Sequence, residues 1–351
     1  MKLYRLTIQP QGGLGTPLKG DTLFGHFCWQ AAHNPKLLQG GLDEQVKRYQ
    51  QHPWVIFSSA FPQTEYLGGI HFALKRPDLP LETLFPSSGR SRGQQLRERK
   101  IKQQQRWMLL PADLNLDLKK MEYRDDHHLA DMLHSQTEQE DIRRLMSKQA
   151  RRWVIKPGGQ HHNTINRRTG TTGLAPFTPY TQSIFYYYPG IKLALFILLD
   201  KEVTDIDKVF KALTTIGQWG YGKDASIGKG RFKVLEKEEL PLPAAGNDAN
   251  AAYTLSPAVP DPQSFDKAFF SPFIRFGRHG DEYARSKNPF KTPVIMADEG
   301  AVFVPQDREF FTKPYLGTGI KGISLSQPGA IMQGYAIYLP FRLERTHEGN
   351  N

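Results

Sequence analysis

Two polar stretches hold the residues best equipped for chemistry. The first, Gly220-Tyr-Gly222-Lys-Asp-Ala-Ser226-Ile-Gly228-Lys-Gly230-Arg231, interleaves glycines with Lys223, Lys229 and Arg231. Successive backbone N–H groups in such a run can face an anion. Loops that hold nucleotide cofactors follow a strand and open a helix, so that the helix N-terminus meets the phosphate. Here a helical period precedes the run and a strand pattern follows it, which argues against a nucleotide cofactor. The run instead suits an RNA backbone, or else is a plain linker before a strand. The second stretch, His161-His162-Asn163-Thr164-Ile165-Asn166-Arg167-Arg168-Thr169-Gly170, gathers imidazole, amide, hydroxyl and guanidinium groups. These contact phosphates, 2′-hydroxyls and splayed bases, although a solvated loop would share the composition.

Other clusters carry less. Asp125-Asp126-His127-His128 with His134, and His161-His162, match no zinc or facial-triad spacing, so no metal is expected. His26 and His33 flank a helical pattern, where either can serve as general base on an RNA 2′-hydroxyl. A metal-independent endoribonuclease is therefore the rival to a binding protein. Gly317-Thr-Gly319-Ile-Lys-Gly322 fits GxGxxG literally, but no helix pattern follows it.

The chain has 351 residues with 46 Lys and Arg against 35 Asp and Glu, a formal charge of +11 that favours a polyanionic partner. The length suggests about two domains of ~150 residues. Cys28 is the only cysteine, which excludes disulfides within the chain and cysteine-rich zinc sites. No apolar run nears the ~20 residues of a membrane span, and the start turns polar too early for a signal peptide, so a cytoplasmic location is expected.

The elements that must position these residues read as strand, glycine-rich turn and helix from Met1 to Pro35, with Asp21 as candidate cap. WVIFSSAF and YLGGIHFALK follow as strands, Gly68 and Gly69 marking a bulge or bend. Residues 76–180 read as a long basic insertion; from Arg90 to Arg106 it carries seven cations against the single acid Glu98, a solvated arm. SIFYYY and IKLALFILL read as a strand pair around Pro189-Gly190. Thr204 to Asp207 reads as a capping box opening a second helix, before the glycine loop and a last strand. Without the insertion this is a βαββαβ, ferredoxin-like or RRM-like unit over 1–240. A linker is expected at 241–251, a β-rich degenerate copy at 252–345 and a tail at 346–351. The fold class is α+β, with two ferredoxin-like domains and a long insertion in the first.

Four segments in order carry a family resemblance: Gly20-Asp21-Thr22-Leu23-Phe24-Gly25, Phe57-Ser-Ser-Ala-Phe-Pro62, His162-Asn-Thr-Ile-Asn-Arg167, and Gly228-Lys-Gly-Arg-Phe232. Together they resemble the RAMP superfamily of CRISPR-associated proteins, in particular the fourth Csm subunit of type III-A complexes; the equivalent type III-B or III-D subunit is the near alternative. The resemblance implies a subunit without nuclease activity or cofactor. It would grip the 5′ handle of the crRNA and touch the large palm-domain subunit and the backbone subunits. By matching position, His162, Asn163, Ile165, Arg167, Arg168 and Thr169 would lie along the handle. Gly222, Lys223, Ser226, Gly228, Lys229, Gly230 and Arg231 would form the superfamily's glycine loop, with Lys19 nearby. Tyr180, Phe185, Tyr186 and Tyr221 are rings on which bases can stack.

Overall fold

The computed structural model describes residues 1–85, 91–149 and 152–344. Arg90 and the tail at 346–351 lie outside the described residues. In chain order the first half runs β1 (Lys2–Pro10), α1 (Gly20–His33), α2 (Gly41–Arg48), β2 (Val55–Tyr66), β3 (Gly69–Lys75), α3 (Leu81–Leu84), α4 (Arg92–Gln104), β4 (Trp107–Pro111), β5 (Glu122–Arg124), α5 (Asp126–Ser135), α6 (Glu140–Ser147), β6 (Ile155–His162), β7 (Tyr180–Tyr187), β8 (Leu193–Leu199), α7 (Ile206–Trp219) and β9 (Phe232–Leu240). The second half is β10 (Ala251–Thr254), β11 (Phe265–Phe269), β12 (Pro272–Arg275), β13 (Val294–Ala297), β14 (Val302–Pro305), β15 (Tyr315–Ile320) and β16 (Met332–Phe341), joined by short 3-10 turns.

The main sheet has seven strands in the order β5-β4-β3-β2-β8-β1-β9, with every neighbouring pair antiparallel. Its middle is buried: all seven residues of β8, apolar at every position, and Leu3 to Ile8 of β1, where Arg5 and Thr7 are buried among apolar neighbours. A strand hydrophobic at every position is one covered on both faces. Among the described residues, β8 in the middle of this sheet thus has neither face open, whereas β9 at its edge is largely exposed.

The long insertion is partly core. Met108, Leu109 and Leu110 extend the sheet through β4, and Leu114, Leu116, Leu129, Ala130 and Leu133 join the same apolar cluster. Short apolar runs such as WMLL lack the length to announce themselves beside so many charges. The basic arm is a helix, α4, opened by a capping box between Ser91 and Gln94.

Several local readings shift with tertiary context. Lys19, not Asp21, is the N-cap of α1; the Asp21 carboxylate instead accepts from Arg275, 254 residues away. Asp205, not Thr204, caps α7, accepting from the Lys208 N–H at 2.9 Å. Leu67 (φ 49°) and Gly68 (φ 78°) form the tight turn of the β2–β3 hairpin, while the β2 bulge lies between Phe57 and Ala60. SIFYYY and IKLALFILL do not pair with each other: β7 pairs with β6 in a separate two-stranded ribbon, and β8 lies between β1 and β2.

The second half is β-rich, with a five-stranded sheet in the order β11-β14-β10-β16-β15 and the ribbon β12-β13. Its core is continuous with the first. Tyr253, Leu255, Val302, Tyr335, Ile337 and Leu339 belong to the cluster built on β1, β2 and β8. At the β2 bulge the Gln333 side chain, fully buried, accepts from Phe57 N–H at 3.0 Å and donates to Phe57 C=O at 2.8 Å. It satisfies backbone groups that the bulge takes out of the ladder.

Candidate nucleic-acid interface

The glycine loop begins where α7 ends. Val209, Ala212, Leu213 and Ile216 bury one helical face, and Gly217 lets the Phe232 carbonyl approach to 2.2 Å of where a Cβ would stand. At the base of the loop Tyr221 N–H donates to Gly230 C=O at 3.1 Å, and Gly230 N–H donates to Gly13 C=O at 3.0 Å. Gly230 has φ 73°, and a Cβ there would lie 2.0 Å from the Tyr221 carbonyl oxygen, so only glycine closes this neck.

The loop is held from beneath. The buried Tyr221 hydroxyl accepts from Lys19 N–H at 3.1 Å and donates to Pro17 C=O at 2.8 Å. Gly222 N–H donates to His26 Nε2 at 2.9 Å, and Lys223 N–H to Thr16 Oγ1 at 3.0 Å. These contacts fix the inner backbone and turn Lys223, Ser226, Gly228 and Arg231 outward, where they are exposed; Gly222 and Lys229 are half-buried and Gly230 is buried.

His26 is thereby committed inward. Acceptance at Nε2 places its proton on Nδ1, and burial, helped by the nearby Lys291 charge, lowers its pKa to about 4. His33 lies on the next-but-one turn of α1 and pairs with the Asp281 carboxylate.

The second stretch belongs to the β6–β7 ribbon. His162 stacks on Tyr180 with ring centroids 5.2 Å apart and planes 14° from parallel. Beyond it, Asn163, Ile165, Arg167, Arg168 and Thr169 are exposed on the connection between the two strands. That connection has its own geometry: Asn166 N–H donates to Thr171 C=O at 3.0 Å, and Asn166 Oδ1 accepts from Arg168 N–H at 2.9 Å.

The ribbon and the glycine loop meet. Lys229 Nζ donates to Gln160 Oε1, two residues before His162. Leu14 and Phe185 exchange backbone hydrogen bonds at 2.9 and 2.8 Å, and Ile184 fills the space above Gly13. Residues far apart in sequence thus meet, Lys229 of the glycine loop reaching the ribbon at Gln160. Sequence reading missed Gln160 and Thr16, whose types carry no signal until their partners are known; Gly13 belonged to a turn already marked by its glycines.

Lys19 stands apart. It is 8% exposed, and its ammonium lies 2.5 Å from both Asp298 and Glu299 carboxylates and 4.6 Å from the Phe273 ring centre. Burial acts to lower its pKa, and Glu299 and Asp298 outweigh it, so the net shift is upward. With its charge already neutralised inside the fold, Lys19 belongs to the seam between the two halves and not to the exposed surface. The other histidines of the middle region are held by near neighbours: His128 by Asp125 at 2.8 Å, and His134 by the Tyr188 hydroxyl at 3.0 Å. Among the described residues no three His, Cys, Asp or Glu side chains converge as a metal site would require.

No protein-family model and no curated protein matches this sequence. Solved structures do match in fold. Over 97% of this chain and 100% of the other, it superposes on a chain of the Csm3–Csm4 subcomplex of the type III-A CRISPR-Cas interference complex, with TM-score 0.53 and 13% identity. It superposes equally on a chain of the Csm1–Csm4 cassette in complex with pppApA, with TM-score 0.52 and 15% identity over 99% of this chain and 100% of that one. Csm4 is the component named in both assemblies, and this chain shares the α+β fold of the chains on which it superposes.

Proposed function

We propose that this chain is the subunit of a type III CRISPR effector complex that holds the 5′ handle of the crRNA and joins the large palm-domain subunit to the backbone subunits, without cleaving RNA. The observation that carries the reading is the junction of the glycine loop with the β6–β7 ribbon through Lys229 and Gln160, on a fold shared with chains from the Csm1–Csm4 and Csm3–Csm4 assemblies. Single-stranded RNA is gripped by cations and backbone donors along its phosphates, with aromatic rings for exposed bases. Lys223, Arg231, Arg167 and Arg168 supply exposed charge, and the His162–Tyr180 stack supplies a ring surface.

The strand order β2-β8-β1-β9, with α1 and α7 as the two crossing helices, supports reading the first half as a ferredoxin-like unit. The second half is read as a copy that has kept the antiparallel sheet and lost its helices. The rival ribonuclease reading needs a histidine free to take a proton from a 2′-hydroxyl. His26 has its Nε2 bonded inside the fold, which leaves the exposed His33, paired with Asp281, as the one of the two candidate bases through which cleavage would have to run.

The test is titration of the purified chain with handle RNA at several salt concentrations. Each neutralised single-strand phosphate contributes ~0.7 to the log–log slope. Replacing Arg167, Lys223 and Arg231 together by Ala is expected to weaken binding more than tenfold and to reduce the slope by roughly 2. An unchanged affinity and slope would remove this surface from the function. Incubation with repeat RNA in EDTA tests the rival, whose signature is a 2′,3′-cyclic phosphate product.

A further inference from the structure

A hairpin arm, residues 276–293, extends the β12–β13 ribbon and lies along α1. Its contacts follow one ridge of the helix, where Asp21, Gly25, Trp29 and His33 recur at four-residue spacing. Arg275 at the base of the arm grips Asp21, Tyr283 packs against Trp29, and Asp281 near the tip pairs with His33. Gly25 is the member of this ridge left open. Its backbone is ordinary helix, and a Cβ there would meet nothing packed against the helix within 4 Å. Glycine weakens a helix interior relative to alanine, and here neither packing nor φ demands one. What the missing side chain leaves is room for a ligand to approach the backbone.

Beside this opening stands a cation without a counterion. Lys291, on the returning strand of the arm, rests its stem over Gly277 and interacts electrostatically with Asp21, His26 and Cys28, the residues around Gly25. It is half-buried, and among the described residues its ammonium has no hydrogen-bond or ion-pair partner. Burial pushes its pKa down by more than Cys28 and Asp21 push it up, and the Asp21 carboxylate is already taken by Arg275 at both oxygens. A half-buried charge in that state is costly until an anion reaches it. His26 offers a second donor: with Nε2 accepting from Gly222 N–H, its proton is on Nδ1, which has no partner among the described residues.

We infer that the opening at Gly25 is a phosphate site, where Lys291 and His26 Nδ1–H take one phosphate of the RNA that the glycine loop holds. This rests on the handle-binding reading above and deepens it, carrying the RNA track across α1 to the second half of the chain. Position selects RNA over a carboxylate of a protein partner. The same imidazole that faces the opening receives Gly222 N–H from the glycine loop, and Lys223 beside it is exposed and forms no ion pair among the described residues. The arm adds charge of the right sign, with Arg278, Arg285, Lys287 and Lys291 against Asp281 and Glu282.

The test is titration of the full chain with handle RNA at several salt concentrations, beside chemical denaturation of the same variants. Lys291→Met, which keeps the stem over Gly277, is expected to weaken binding about fivefold and lower the log–log salt slope by about 0.7, with stability unchanged or raised. Gly25→Leu, which fills the opening with a good helix former, should weaken binding to a similar degree without loss of stability. A purely structural role would bring stability and affinity down together. Lys287→Met removes the same formal charge from an exposed part of the arm and is the control, expected to bind within about twofold of wild type. Handle RNA carrying a 5′-hydroxyl or a 5′-phosphate identifies the group held: a Lys291→Met loss on both points to an internal phosphate, and a loss confined to the phosphorylated form to the terminal one. Three results overturn the inference: unchanged affinity and slope in Lys291→Met, equal losses in Lys291→Met and Lys287→Met, or a neighbouring subunit lost on co-purification while RNA affinity is kept. A wild-type chain that fails to bind handle RNA sinks the handle-binding reading itself. If the Arg167, Lys223 and Arg231 variant loses RNA and Lys291→Met does not, only this site is wrong.

Discussion

Tyr221 and His26 illustrate how single side chains turn a glycine loop into a fixed surface. The Tyr221 hydroxyl accepts from Lys19 N–H and donates to Pro17 C=O, and His26 accepts from Gly222 N–H, so the inner side of the loop is tied down at both residues. The His26 bond requires a neutral ring, and its pKa in the fold is about 4 against an ordinary 6.5. Between these values the unfolded chain binds the extra proton and the folded chain does not, so stability rises with pH across that window. The His26 contribution is present in full above about pH 6.5 and is lost as pH falls toward 4. Denaturation between pH 4 and 7 should show this slope, and His26→Gln, which keeps an acceptor without the titration, should flatten it. Gln333 plays the corresponding part at the seam, where its amide serves both backbone groups of Phe57. Gln333→Leu leaves a buried donor and a buried acceptor unpaired and should cost about 3 kcal/mol in chemical denaturation. A loss below ~0.5 kcal/mol would mean the bulge finds other partners.

The neck of the glycine loop is the feature most sensitive to a small change. Gly230 combines a left-handed backbone with contact against Tyr221, and Ala there meets both obstacles. The left-handed conformation alone costs about 1–2 kcal/mol for a residue with a Cβ, and the overlap adds to it. Gly230→Ala should therefore destabilise the chain by at least about 2 kcal/mol and weaken handle-RNA binding. Gly228, also left-handed at φ 90° but with open space around its Cβ position, provides the control: its alanine variant should lose only the backbone part. Equal losses for the two would show that the contact with Tyr221 is not what closes the neck.

The two halves share one apolar core, and the ionic seam of Lys19, Asp298 and Glu299 with the Arg275–Asp21 pair runs between them. Cutting the chain at 240 removes Leu255, whose carbonyl accepts from Ser59 N–H, and leaves Lys19 and Asp21 without their partners. Unpaired buried charge is strongly destabilising. Residues 1–240 alone should show no cooperative thermal transition, while the full chain melts as a unit. A fragment melting sharply near the full chain's temperature would mean that the first half stands by itself.

Much of this molecule was legible in its residues alone. Periodicity of 3.6 marked α1 and α7, and the glycine run between a helix and a strand marked the loop. All are local patterns, set by which side of one element meets the core. The long polar region was only half legible. Its charges mark the exposed helix α4, but β4 contributes too few apolar residues to stand out, and only its place at the edge of β3 makes it core. Partners were beyond local reading. That Asp21 meets Arg275 in place of capping its own helix, that Lys19 turns inward, and that Gln160 bridges to Lys229 all depend on groups tens to hundreds of residues away. Short-range sterics and hydrophobic period are written into neighbouring residues, whereas charge pairing and the joining of two loops into one surface arise only when the chain closes on itself.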